Sequence, residues 1–165
     1  AALFMRTYKE IRDNFHEMFR RLFGGGRAEI RLVDHEDPLN SGLEIYAQPP
    51  GKKLENISLL SGGEKSLCGV ALMFATFLVK PSPFCILDEI DAALDEANIQ
   101  RFINVLSEFG EKSQFVVITH NKKTVAGARS LLGVTMQESG VSRLISLRLD
   151  GKEQVDDEEP VAAGR

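Results

Sequence analysis

Apolar residues in the first two dozen positions recur in steps of three and four: Phe4, Tyr8, Ile11, Phe15, Met18, Phe19 and Leu22. That spacing predicts one amphipathic helix over residues 3–23. Gly24-Gly25-Gly26 ends it, because glycine adopts the left-handed geometry of a helix C-cap. The period then changes. Arg27–Val33 alternates polar and apolar residues, with Ala28, Ile30 and Leu32 on one side, and Leu43–Ala47 alternates again. With the polar turn Asp34–Gly42 between them, 27–48 reads as an antiparallel hairpin. Pro49-Pro50-Gly51-Lys52-Lys53 is a loop.

A helical period returns from Ser61 to Val79, through Leu67, Val70, Ala71, Phe74 and Leu78, and Pro81 stops it. Phe84–Leu87 is a short apolar run, the pattern of a strand covered on both faces. Asp95–Phe109 is a helix with Ile99, Phe102, Ile103 and Leu106 on one side, and Gln114–Thr119 is a second buried strand. Residues 122–130 read as a short helix. Leu132–Gln137 and Ser142–Leu149 read as strands joined through Glu138-Ser139-Gly140. Residues 151–165 are acidic and aperiodic, and are expected to be disordered. The fold class is α/β: parallel strands flanked by helices, plus an antiparallel hairpin.

Composition narrows this little. The chain has 165 residues, 43% hydrophobic and 27% charged, as a globular domain has. No apolar run approaches the roughly 20 residues that cross a bilayer, so no membrane partner is expected. The net charge of −4 argues against a DNA-wrapping surface. Arg20, Arg21, Arg27 and Arg31 read first as a solvated face. Cys68 and Cys85 read as small buried hydrophobes, with no metal-ligand spacing around them. The chain starts without Met and inside a helical pattern, so it is expected to be an excised piece.

Three places carry candidate chemistry. Ser61-Gly62-Gly63-Glu64 opens a helix whose free N–H groups attract phosphate, and Ser-x-x-Glu is equally a capping box that merely starts a helix. Asp88-Glu89 ends an apolar strand. There one carboxylate can hold Mg²⁺ and its neighbour can deprotonate water, or both are solvated acids. Asp91 and Asp95 follow closely, and four acids in eight residues invite a cation. His120 ends the second buried strand; it can donate to a phosphate or simply cap the strand. His16 and His35 read as surface residues. If strands 84–87 and 115–119 are neighbours, Glu89 and His120 share one sheet edge, where ligands of such sheets bind. A phosphate cradle Gly-x-x-x-x-Gly-Lys-Ser/Thr occurs nowhere in the sequence.

In order, Leu60-Ser61-Gly62-Gly63-Glu64-Lys65, Ile86-Leu87-Asp88-Glu89, Ala93-Leu94-Asp95 and Ile118-Thr119-His120-Asn121 resemble the signature, Walker B, D-loop and H-switch motifs of ABC-type ATPases. The wording is most similar to the C-terminal head lobe of prokaryotic structural maintenance of chromosomes (SMC) proteins. Residues 47–53, 91–95 and 133–136 fit the same family.

The resemblance implies ATP and Mg²⁺ as cofactors, with Asp88 as the Mg²⁺ ligand, Glu89 as the catalytic base and His120 as the γ-phosphate sensor. It implies that Ser61, Gly62, Gly63 and Glu64 meet ATP held on an opposite head, and that Asp95 lies where the heads pair. Residues 1–23 become the end of a coiled coil, 24–150 the ATPase lobe and 151–165 a tail. Implied partners are the N-terminal lobe with the missing cradle, a second head, the winged-helix domain of a kleisin subunit and DNA. The hairpin 27–48 is the candidate kleisin surface. Chromosome condensation and segregation in a nucleoid-associated, cytoplasmic protein would follow. A coiled-coil DNA-repair ATPase and a kleisin-binding module without activity are the alternatives.

Overall fold

The computed structural model describes residues 1–138 and 140–149. The chain divides into two compact units, Ala1–Asn121 and the part from Lys122 onward. The first opens with α1 (Ala2–Phe23), which buries Phe15, Met18, Phe19, Leu22 and Phe23. Gly24 closes α1 at φ 73° and ψ 26°. Two positions on, Gly26 sits at φ 82°, where a Cβ would lie 2.2 Å from the carbonyl oxygen of Gln48. Only glycine lets the chain turn there against its neighbouring strand.

That turn leads into an antiparallel sheet of β1 (Arg27–Leu32), β2 (Leu43–Gln48) and β3 (Glu55–Asn56), in that order. The expected hairpin is present, with Arg27 opposite Gln48 and Leu32 opposite Leu43. Ala28, Ile30 and Leu32 are its buried face, as the alternation requires. Sequence pattern missed the two-residue β3, which is too short to carry a period. Helix α1 is tied to the sheet by Tyr8, whose hydroxyl donates to the carbonyl oxygen of Ile30 at 2.7 Å. Tyr8→Phe is expected to lower the unfolding free energy by about 1 kcal/mol, read from urea denaturation midpoints at unchanged slope.

After a 3₁₀ turn at Ile57–Leu59 come α2 (Gly62–Val79), β4 (Phe84–Asp88), α3 (Glu96–Phe109) and β5 (Gln114–Ile118). By length and composition α2 could cross a membrane, with 18 residues at mean hydropathy 1.3. This corrects the expectation that no segment comes near that limit. Its apolar character is spent in the core instead: Leu67, Cys68, Val70, Ala71, Phe74 and Ala75 are buried. Phe74 meets Phe102, Phe109 and Phe115 at centroid distances of 5.4–6.5 Å, which joins α2, α3 and β5. Burial pushes the Cys68 thiol up to about 12, so it stays protonated and behaves as a small hydrophobe.

Strands β4 and β5 run parallel, from Phe84 opposite Gln114 to Asp88 opposite Ile118. Cys85, Leu87, Phe115 and Val117 face the core. The expectation that this sheet is covered on both faces is corrected here. Phe84, Ile86, Val116 and Ile118 on the other face are 42–61% exposed. Alternation explains it: residues two apart share a face, and within unit 1 the helices cover only one.

In the second unit α4 spans Lys122–Ala126, shorter than the helix expected over 122–130. β6 (Ser130–Glu138) and β7 (Val141–Arg148) form the expected antiparallel pair, with Ser130 opposite Arg148. The proposed tail 151–165 lies outside the described residues.

Candidate functional site

Asp88 is the last residue of β4 and is exposed. Pairing with β5 continues one step further, since the Glu89 N–H donates to the carbonyl oxygen of Ile118 at 2.9 Å. Glu89 then turns the chain at φ 49°, the only non-glycine residue with positive φ among those described. A left-handed side-chain-bearing residue costs on the order of 1–3 kcal/mol and persists only where its surroundings fix it. The turn is closed by the Ala92 N–H, which donates to the carbonyl oxygen of Glu89 at 3.1 Å.

The reversal aims Glu89 along the rim of the sheet. Its Oε1 lies 3.5 Å from Nδ1 of His120, and both side chains are more than 60% exposed. Neighbouring parallel strands thus bring an acid and an imidazole to one edge, as their positions at the two strand ends predict.

The four acids do not form a cation cage. Asp91 turns inward to 1% exposure, and its Oδ2 accepts a 2.7 Å hydrogen bond from the Thr119 hydroxyl. Asp95 is the N-cap of α3 and accepts from the Asn98 N–H at 2.8 Å. Among the described residues, no group of three or more His, Cys, Asp or Glu could hold a metal. The expectation of a four-acid cation site is therefore corrected: adjacent positions in a tight turn point in different directions. The Asp91–Thr119 pair joins residues 28 apart and left no trace in local spacing.

Ser61 is the N-cap of α2 and forms a full capping box with Glu64. Its hydroxyl donates to Glu64 Oε2 at 2.8 Å, and its backbone N–H donates to the same oxygen at 3.1 Å. Lys52, from the loop before it, reaches Glu64 Oε1 at 2.9 Å. The Lys52 ammonium first, then the Ser61 hydroxyl and N–H, hold the Glu64 carboxyl below its ordinary value of 4.5. The box is therefore complete above that value and weakens as the pH falls through the lowered one. Glu64 thus organises the turn, while Ser61, Gly62 and Gly63 face solvent. A Cβ built on Gly62 meets nothing within 4 Å. One built on Gly63 would lie 3.2 Å from the carbonyl oxygen of Ala93, so the glycine turn abuts the loop leading to Asp95. A shallow cleft of about 360 Å³ runs beside them, lined by Ser66, Gly69 and Met73 of α2 and by Glu89, Ile90 and Ala93.

Known proteins share this chain's pattern. A family model described as RecF/RecN/SMC N terminal domain matches residues 6–143. The chromosome partition protein Smc of Bacillus subtilis is 57% identical over 147 residues, 89% of this chain. This chain spans only 12% of that relative's length. A solved structure from work on ATP-driven dimerization and DNA-stimulated activation of SMC ATPases superposes with a TM-score of 0.83 at 44% identity, covering 90% of each chain. A head domain, SmcHead, bound to the C-winged helix domain of ScpA superposes at 0.82 with 45% identity, over 88% of this chain and 44% of the other.

Proposed function

This chain belongs to the RecF/RecN/SMC family, and on that premise we propose that it is the SMC head lobe that activates water for ATP hydrolysis. The lobe meant is the C-terminal one. The family description speaks of an N-terminal domain, but these 165 residues hold no Gly-x-x-x-x-Gly-Lys-Ser/Thr cradle. What they do hold is the complementary set. The observation that carries the reading is the meeting of Glu89 and His120 at the carboxyl ends of two adjacent parallel strands.

Each residue then has a task. Glu89 accepts a proton from the water whose oxygen attacks the γ-phosphorus, as the bond to the leaving ADP oxygen breaks. His120 donates to a γ-phosphate oxygen beside the Glu89 carboxylate. Asp88 fits Mg²⁺, which takes one or two carboxylates and otherwise phosphate and water oxygens, so no protein cage is needed. Bound there, the ion would neutralise phosphate charge. Ser61, Gly62 and Gly63 offer a hydroxyl and open helix N–H groups to the triphosphate of a second head, and Glu64 keeps that turn shaped. Asp95 stands at the start of α3 on the pairing side. Two heads are required because neither surface alone surrounds the γ-phosphate.

The exposed apolar face of β4 and β5 supports an N-terminal lobe as the missing cover, because parallel sheets are normally buried on both sides. The solved SMC heads support further partners for the whole protein: a second head, a kleisin winged-helix domain and DNA. The curated relatives support a role in chromosome partition at the nucleoid, and they favour SMC over a DNA-repair ATPase.

Mixing this chain with the cradle-bearing lobe tests the assignment. Alone, the chain is expected to turn over no ATP above buffer. With the lobe added, ATP-dependent pairing and turnover should rise together. Turnover by this chain alone, removed by Glu89→Gln, would overturn the split-site reading.

A further inference from the structure

We propose that buried Asp91 and half-buried Thr119 form a clamp that positions His120 against Glu89, an inference that rests on the ATPase reading above. Asp91 is 1% exposed although it lies in a solvent-facing turn between Glu89 and Asp95. Its Oδ2 accepts the Thr119 hydroxyl proton at 2.7 Å. The same hydroxyl oxygen accepts the Asn121 N–H at 2.9 Å. Thr119 and Asn121 flank His120, so this hydroxyl folds the backbone on both sides of the imidazole into one turn.

The clamp closes a ring between the two strand ends. On one side the Glu89 N–H is fixed to the Ile118 carbonyl at 2.9 Å; on the other, Asp91 is fixed to Thr119. Glu89 and Ile118 are thereby held together, and Thr119 follows Ile118 directly. The two side chains that meet at 3.5 Å, Glu89 and His120, are both largely solvated, at 61% and 74% exposure. Their relative placement is inherited from the ring beneath them. A buried carboxylate at this point is costly unless it is hydrogen-bonded, so its retention in a turn has a positional use. Asp91 and Thr119 touch neither water nor phosphate in this scheme; they are positioning residues.

Thr119→Val removes the hydroxyl at nearly constant volume, and Thr119→Ser keeps it. In the full-length protein, Thr119→Val is expected to lower the kcat for ATP at least tenfold. KM should change less than threefold, and ATP-dependent head pairing should be kept. Thr119→Ser should retain kcat to within about twofold. Unfolding midpoints measured alongside keep loss of fold apart from loss of placement. Wild-type kcat in Thr119→Val overturns the clamp. So does an equal loss in the Ser and Val variants, or a parallel fall of kcat, pairing and unfolding midpoint. A full-length wild-type protein that hydrolyses no ATP overturns the ATPase reading instead.

Discussion

Glu89→Gln in the full-length protein is expected to slow ATP hydrolysis by about 10²–10⁴-fold, the usual contribution of a positioned general base. ATP-dependent head pairing should survive and become longer-lived. Glutamine keeps the length and shape of the side chain but cannot take the proton of the attacking water. The fold should not notice, because the Glu89 side chain is 61% exposed and the contacts that fix its turn are backbone ones. Asp88 is unchanged, so Mg²⁺ and nucleotide should still be held. Single-turnover hydrolysis and nucleotide-dependent elution of paired heads are the two measurements. A rate within tenfold of wild type removes Glu89 from the role of base. Loss of ATP binding together with the rate would instead make it a nucleotide ligand.

The placement of these residues was largely legible in the sequence, for a physical reason. A buried parallel strand is a short apolar run, and the residue that ends it emerges at the sheet edge. Asp88, Glu89 and His120 each end such a run, so their common edge follows once the strands pair. The capping box at Ser61 was legible because its two members are three residues apart on one helical turn. What stayed hidden depends on contacts distant in sequence. Asp91 has the same letter as Asp88 and Asp95, yet it is buried by a threonine 28 positions away. Lys52 reaches Glu64 from a loop whose path no period describes. The bare face of Phe84, Ile86, Val116 and Ile118 was hidden as well, because a continuous apolar run does not tell which face its own unit covers. The length and mean hydropathy of α2 were underestimated, because its apolar residues were read by helical period and not as one window.

The two sets of site residues are joined through one loop. Glu89 begins it, Asp91 anchors it to Thr119 just past β5, and the Ala93 carbonyl lies against Gly63 of the glycine turn. In the proposed scheme the two ends serve different nucleotides, Glu89 that of its own head and Gly63 that of the partner. A change at the glycine turn should therefore spare the first nucleotide's binding while removing the second contact.

Ser61→Arg makes that separation measurable. Ser61 is exposed, Gly62 beside it has open space, and the helix N-terminus there carries partial positive charge. A guanidinium at this point fills the space that the proposed scheme gives to the opposing triphosphate. It also removes the cap hydroxyl, at a cost of about 1 kcal/mol to α2, which the buried face of the helix can absorb. Pairing is expected to fall below detection at micromolar protein, and hydrolysis should drop to the level of unpaired heads. ATP binding to a single head, followed by a fluorescent analogue, should stay within about threefold of wild type, because a Kd ratio of three is only about 0.65 kcal/mol. If the variant instead loses ATP from the single head, the glycine turn serves its own nucleotide and the trans assignment fails. If it pairs and hydrolyses normally, the turn is a capping box and nothing more.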